Sequence, residues 1–325
     1  MKSTLKNAGF IETKYDTGSI RMNYAEGPPN GSPLVLLPGQ AGTWENYEKV
    51  MIPLSKSFHI FAVDIRGHGK TDWPTGNYTF DLIGGDIVAF LENVVKSPAI
   101  ISGNSSGGLI ALWVAANSPN LVKGIILEDP PLFSADWPRI KTDSDVYRVF
   151  QITLEIAEIM KTSKAVKPLA KVLTKIERPR EGKNRPKKVP YWMAYILAWV
   201  IRKSQKSQKS RIPIPKRFKA LSNALLSYDP DFSRAFVDGR IYEGLNHEKA
   251  LEKTKTPILL LHANWFRHPQ YGLVGAMDDR DAEKAKTLAP HMIYKRINAS
   301  HVIHNYNPTQ FIHILKEFTA QLQEC

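Results

Sequence analysis

The pentapeptide Gly-Asn-Ser-Ser-Gly at residues 103–107 could hold a serine in position for nucleophilic chemistry. A short apolar segment, residues 98–102, precedes it, and residues 108–116 follow with a helical pattern. On a sharp turn from strand to helix, the Ser105 hydroxyl would project above a sheet, and the flanking glycines would let strand and helix approach closely. The pattern therefore predicts a nucleophile elbow, although a glycine-rich turn without chemistry would read the same way.

Other segments supply the elements that would position such a serine. Apolar runs at residues 33–37, 58–64, 121–127, 257–262 and 292–298 predict strands, and helical patterns follow residues 282 and 308. The first of these strands ends at Pro-Gly-Gln-Ala-Gly, residues 38–42, a loop free to expose backbone N–H groups.

Together with the turn at residues 64–71, these motifs resemble those of the α/β-hydrolase superfamily. Members typically carry a His-Gly-x loop, an Asp-x-Arg-Gly-x-Gly-x-Ser-like turn and the elbow at about this spacing. Here Pro38 replaces the loop histidine and Thr71 replaces the serine of the turn. The resemblance implies a mainly parallel central sheet flanked by helices, with a helical cap domain inserted.

The resemblance also implies roles for individual residues. His301 follows the last predicted strand, where the family has Gly-His, and is the expected general base, with Ser300 in place of the glycine. His304 and His262 are weaker candidates for the base. The backbone N–H groups of Gln40 and Ser106 are expected to form the oxyanion hole.

The sequence offers several candidates for the acidic partner of the histidine. In most relatives it follows the penultimate strand, but residues 263–268 contain no carboxylate. A second position known in the family, the end of the strand after the elbow helix, holds Glu128 and Asp129. Asp129 is therefore the expected acid, with Glu128 second and the pair Asp278 and Asp279 third.

The implied activity is hydrolysis of a carboxylic ester, with a hydrophobic or acyl substrate, through an acyl-enzyme on Ser105. Serine rather than aspartate at the elbow argues against the alkyl-enzyme chemistry of related dehalogenases and epoxide hydrolases. Thioesters, lactones, amides and activated carbon–carbon bonds suit the same residues. A catalytically weak ligand-binding receptor of the same fold is the alternative. No metal-ligand spacing and no phosphate-binding glycine loop is present in the sequence, so no cofactor or metal is expected.

Length and charge predict an inserted domain. The 325 residues exceed the roughly 250–300 at which a single core stops growing. Residues 1–131 and 256–325 carry the hydrolase-like elements, so residues 132–255 are expected to form the cap. Residues 161–219 hold 19 Lys or Arg against 2 Asp or Glu, whereas the rest of the chain holds 25 against 29.

Within the basic segment, residues 189–201 form an uncharged run rich in Trp and Tyr. It is shorter than the roughly 20 residues that a membrane-spanning helix needs. Aromatic residues flanked by lysine and arginine suit the headgroup region of an anionic membrane, so peripheral membrane contact is one expectation. The other is that the run packs over the active-site cleft while the lysines are solvated. Nucleic acid is not expected as a partner, because the aromatic and basic residues are not interleaved.

The sequence also suggests a compartment. The N-terminal residues are polar and do not resemble a signal peptide. The only cysteine is Cys325, so no internal disulfide can form, as is usual in a reducing environment. The expectation is a cytoplasmic protein.

Overall fold

The computed structural model describes residues 1–206 and 227–322, so Cys325 lies outside the described residues. An eight-stranded sheet runs through the molecule in the order β1-β2-β4-β3-β5-β6-β9-β12. The pairs β1/β2 and β2/β4 are antiparallel and the remaining pairs are parallel. These strands are β1 (Ile11–Asp16), β2 (Arg21–Glu26), β3 (Ser32–Leu37), β4 (Phe58–Val63), β5 (Ala99–Asn104), β6 (Val122–Glu128), β9 (Ile258–His262) and β12 (Ile293–Arg296).

Helices cover both faces of this sheet. Side chains alternate along β3, so that Val35 and Leu37 enter one apolar core while Leu34 and Leu36 enter the other. The helices that flank the sheet are α1 (Ser3–Asn7), α2 (Glu48–Ser55), α3 (Phe80–Phe90), α4 (Ser106–Asn117), α9 (His247–Lys253), α10 (Asp279–Leu288), α11 (Ile303–Tyr306) and α12 (Pro308–Gln321). The predicted fold, a mainly parallel sheet between helices, is confirmed.

The described residues between β6 and α9 form mostly helices. It contains α5 (Asp145–Thr162), α6 (Val166–Leu173), α7 (Tyr191–Lys206) and α8 (Pro230–Asp238). A third apolar cluster joins α5, α6 and α7 through residues such as Ile156, Leu169 and Ala198. No helix in the described ranges is long and apolar enough to cross a bilayer.

A hairpin that the sequence did not predict interrupts these helices. Its strands are β7 (Glu177–Arg180) and β8 (Lys183–Lys188), and Gly182 in the intervening turn has a positive φ of 66°. Glycine adopts this backbone conformation without the steric strain that a side chain would cause. Gly182 was therefore the residue in the sequence that could have indicated the turn. The high charge of both strands concealed the hairpin, because neither carries the apolar alternation of a half-buried strand. A second short hairpin, β10 (Phe266–His268) with β11 (Gly272–Val274), follows β9.

Candidate active site

Ser105 lies on the sharp turn between β5 and α4, as the sequence predicts. Its φ of 54° and ψ of −123° are unusual for a residue with a side chain, and such strain is found where a surrounding structure holds it in place. A Cβ on Gly103 would lie 2.1 Å from the Gly107 oxygen, and a Cβ on Gly107 would lie 2.3 Å from the Leu37 oxygen. Both flanking positions therefore require glycine for the turn to close.

His301 lies in the loop after β12, and its Nδ1 is 2.7 Å from Oδ2 of Asp129 at the end of β6. The other carboxylate oxygen of Asp129 accepts a hydrogen bond of 3.0 Å from the backbone N–H of Ala263. Asp129 is 1% exposed and has a positive φ of 46°. The carboxylate is thus fixed from two sides, and Nε2 remains as the ring nitrogen of His301 available to exchange a proton.

The environment of His301 adjusts its basicity. Burial lowers the pKa of the imidazole, but the hydrogen bond and the charge of Asp129 outweigh it, so the pKa of His301 is raised. A raised pKa makes the imidazole a better proton acceptor. The side chain is 42% exposed, so it can be reached from outside.

Asn104 helps to position the histidine loop, a role that the sequence analysis missed. Its side-chain amide donates 3.1 Å to the His301 carbonyl and 3.3 Å to the Glu128 carbonyl. It therefore ties the loop after β12 to the ends of β5 and β6. The available signal was its position next to Ser105 at the end of a strand, where a buried polar residue needs partners.

The two expected oxyanion donors lie beside Ser105. Ser106 is the first residue of α4, so its backbone N–H has no acceptor within the helix. The loop of Gln40 approaches closely, since a Cβ on Gly39 would lie 3.0 Å from the Ser105 Cβ. The Gln40 side chain donates to the hydroxyls of Tyr228, at 2.7 Å, and Ser233. It thereby links this loop to α8 and the residues before it.

Glu128, the second candidate for the acid, pairs with a different histidine. Its carboxylate accepts hydrogen bonds from the His304 backbone N–H at 2.9 Å and lies 2.7 Å from His304 Nδ1. Both side chains are buried, and the His304 ring stacks on Tyr47 with 4.1 Å between ring centroids. The structure therefore brings together two histidine–carboxylate pairs, of which only one contains His301.

The remaining candidates lie in other contacts. Asp278 caps α10 by accepting from the Asp281 N–H, and it forms an ion pair of 2.6 Å with Arg267. Asp279 forms an ion pair of 2.9 Å with Arg296. His262 is buried, with its ring nitrogens 2.9 Å from the Tyr294 hydroxyl and 3.1 Å from the Met277 carbonyl.

A cavity of about 500 Å³ joins the predicted residues. Ser105, Ser106, Gln40 and His301 all contribute to its wall. The sequence analysis missed the apolar side of this cavity, which Pro131, Val146, Val149, Phe150, Phe236 and Ala276 provide. No residue in the described part of α7 is among the lining residues, so this part of the run at 189–201 does not cover the cavity.

The turn at residues 64–71 anchors the chain where it enters α8. The Gly69 N–H donates 2.7 Å to the Ser227 carbonyl, and the Asp229 N–H donates 2.8 Å to the Gly67 carbonyl. The Asp64 carboxylate accepts from the Lys70 N–H at 3.0 Å, which fixes the turn itself. Burial lowers the pKa of His68 in this turn to about 4, which keeps the imidazole neutral against its aromatic neighbours.

Comparisons with known proteins agree with the fold. Residues 32–158 match the family model of the alpha/beta hydrolase fold. A 2-(acetamidomethylene)succinate hydrolase of Mesorhizobium japonicum is 30% identical over 129 residues, 40% of this chain and 46% of the relative. Human epoxide hydrolase 4 is 30% identical over 119 residues, 36% of this chain and 33% of the relative. The matched segments thus span less than half of either relative.

Among solved structures, a bacterial membrane phospholipase A superimposes with a TM-score of 0.65 over 99% of this chain and 89% of that one. The two share 18% sequence identity, so the likeness shows the fold alone. Residues 32–158 thus match the α/β-hydrolase family, and the described residues as a whole have the α/β-hydrolase fold.

Proposed function

We propose that the protein is a serine hydrolase that cleaves carboxylic esters through an acyl-enzyme on Ser105. The observation that carries the proposal is the 2.7 Å contact between His301 and Asp129, beside the cavity that Ser105 also lines. Ser105 would attack the ester carbonyl carbon while His301 Nε2 accepts its proton. Asp129 would hold the imidazole tautomer and stabilise the imidazolium.

The rest of the cycle follows from the same groups. Charge that develops on the carbonyl oxygen would be stabilised by the N–H groups of Gln40 and Ser106. The imidazolium of His301 would return its proton to the leaving alkoxide, which departs as the alcohol. A water, deprotonated by the same imidazole, would then attack the acyl carbon and release the carboxylic acid with Ser105 restored. One ester and one water thus give one acid and one alcohol.

The cavity supports a hydrophobic acyl group as the substrate. A volume of about 500 Å³ is in the range for small-molecule sites, roughly 300–1,000 Å³. Val149 and Phe150 on α5 and Phe236 on α8 form its apolar side. Contact with these side chains would favour an alkyl or aromatic acyl chain over a charged one.

The test is turnover of p-nitrophenyl esters of increasing acyl length by the wild type, Ser105→Ala and Asp129→Asn. Asp279→Asn is the matched control, because it makes the same change at the exposed carboxylate of the other candidate position. We expect loss of turnover in the first two variants and near wild-type rates in the control. A fluorophosphonate should add its mass to the wild type and not to Ser105→Ala.

The outcome separates the alternatives. Labelling of Ser105 without turnover of any ester would favour thioesters, lactones or carbon–carbon bonds, which the same residues could cleave. Neither labelling nor turnover by a folded wild type would favour a ligand-binding receptor. Equal loss of activity in Asp279→Asn and Asp129→Asn would contradict the assignment of the acid.

A further inference from the structure

Helix α7 exposes the side chains that a helix normally buries. Its inner face, against α6, carries the small residues Ala194 and Ala198, followed by Ile201. Six large apolar residues on the helix are each between 38% and 65% exposed: Tyr191, Trp192, Met193, Tyr195, Ile196 and Trp199. A contiguous exposed apolar surface of this kind usually marks an interaction site.

Basic residues adjoin this face at both ends. Lys187 and Lys188 end the hairpin two residues before α7 begins, and the Lys203 ammonium lies 5.2 Å from the centre of the Trp199 ring. Residues 164–203 contain 12 Lys or Arg and 2 Asp or Glu. This unit of α6, the hairpin and α7 therefore combines positive charge with exposed aromatic rings.

Like-charged residues that face each other destabilise the β7–β8 hairpin. Arg178 faces Lys187 across the strands and Arg180 faces Lys183, whereas the third facing pair, Glu177 and Lys188, forms an ion pair of 2.9 Å. Like charges directly opposite one another destabilise a strand pair. Among the described residues, none of the four like-charged residues has an acidic partner within 4.0 Å. An anionic surface would relieve this repulsion, which argues for an anion as the missing partner.

We propose that the outer face of α7 and the β7–β8 hairpin form a docking surface for anionic lipid membranes. Tryptophan and tyrosine favour the headgroup region, where the ring is in an apolar layer and its polar atom is hydrated. Arginine and lysine beside them are attracted by anionic headgroups. The helix would lie in the plane of the interface. This proposal does not rest on ester hydrolysis.

Helix α5 connects this surface to the candidate active site. Val146, Val149 and Phe150 in its first half line the cavity, whereas Ile156 and Met160 in its second half pack with α6 and α7. Docking would therefore hold the cavity near the membrane, at the distance set by one helix.

The experiment is co-sedimentation of the full chain with phosphatidylcholine vesicles, with and without phosphatidylglycerol, at low and high salt. We expect binding only to the anionic vesicles, and loss of binding near 1 M salt, where the screening length is about 3 Å. Arg185→Glu with Lys187→Glu should weaken binding about 30-fold or more, because each basic residue near an anionic surface contributes roughly fivefold. This variant removes the repulsion between Lys187 and Arg178, so it should fold.

Matched variants separate the surface from general charge and hydrophobicity. Lys56→Glu with Lys123→Glu changes the same charge on the core and should leave binding nearly unchanged. Ile196→Ser should weaken binding severalfold, whereas Ile11→Ser, at an isoleucine of similar exposure, should not.

Other outcomes overturn the proposal. Absence of binding to anionic vesicles at low salt would do so directly, as would equal losses in the test and control variants. A dimer in solution that Trp192→Ser dissociates would assign the face to a second copy of the chain. Binding to a DNA duplex without binding to vesicles would assign the positive charge to nucleic acid.

Discussion

Two histidine–carboxylate pairs join the end of β6 to the residues after β12, and their surroundings differ. Asp129 pairs with His301, whose side chain is 42% exposed beside Ser105 and the cavity. Glu128 pairs with His304, which also borders the cavity but whose side chain is 1% exposed and stacks on Tyr47. The contact distances are the same, 2.7 Å.

The two pairs differ in whether a reactant can reach the histidine, and this difference decides which pair can take part in a reaction. An imidazole that holds a carboxylate through Nδ1 can act as a base only if a reactant reaches its other nitrogen. The Nε2 atom of His304 is buried and has no hydrogen-bond partner among the described residues. The pair of Glu128 and His304 therefore fastens α11 to the sheet, and the pair of Asp129 and His301 serves the proposed reaction.

The largest expected difference between the pairs is in turnover. Asp129→Asn removes the carboxylate with little change in shape and should lower kcat about 10⁴-fold, through loss of the correct imidazole tautomer. Glu128→Gln makes the corresponding change in the buried pair and should lower kcat less than about tenfold. The measurement is kcat on the best p-nitrophenyl ester, and similar losses in both variants would mean that the pairs act as one unit.

Stability should show the opposite order. His304→Ala leaves the Glu128 carboxylate buried without its partner, which should lower the free energy of unfolding by roughly 3–5 kcal/mol. His301→Ala also leaves a buried carboxylate, that of Asp129, but the imidazole it removes is partly exposed, so water can enter its place, and the Ala263 N–H still donates to Asp129. The loss should therefore be smaller, roughly 1–3 kcal/mol. Urea unfolding of the two variants measures both values. If His301→Ala proved the more destabilising, the division between the pairs would be wrong.

The pH dependence of turnover tests the electrostatic side of the comparison. His301 accepts a proton only as the neutral imidazole, and its pKa is raised. We therefore expect kcat/KM to rise with pH through a midpoint above about 6.5, the ordinary value for histidine. In Asp129→Asn burial still lowers the pKa of His301, the hydrogen bond to the carboxylate and its charge are gone, and only the charge of Glu128 still raises the pKa, so the residual activity should titrate at lower pH. A midpoint that stays unchanged would show that Asp129 does not control the base.

The sequence predicted the fold and the elbow because both depend on local patterns. Apolar runs defined the strands, and the glycines around Ser105 marked the tight turn. It ranked Asp129 above Glu128 as the acid but could not show which carboxylate contacts His301, because consecutive residues at a strand end point in different directions and only packing shows what each one contacts. The sequence also could not predict that the large apolar side chains of α7 are exposed. Periodicity shows that a helix has two different faces, but it does not show which of them is buried.

The smallest expected effect concerns Tyr47, whose ring stacks on His304 of the buried pair. Its hydroxyl donates 2.9 Å to the buried Leu37 carbonyl, so Tyr47→Phe leaves that acceptor without this donor and should cost about 1 kcal/mol of unfolding free energy. Tyr24→Phe is the matched control, because the Tyr24 hydroxyl has no hydrogen-bond partner within the described residues, and it should cost little. Thermal unfolding and kcat are measured for both variants. Because the ring that stacks on His304 is retained, kcat should stay at the wild-type value. A fall in kcat for Tyr47→Phe alone would show that the packing around the buried pair affects turnover through Leu37 and the loop of Gln40.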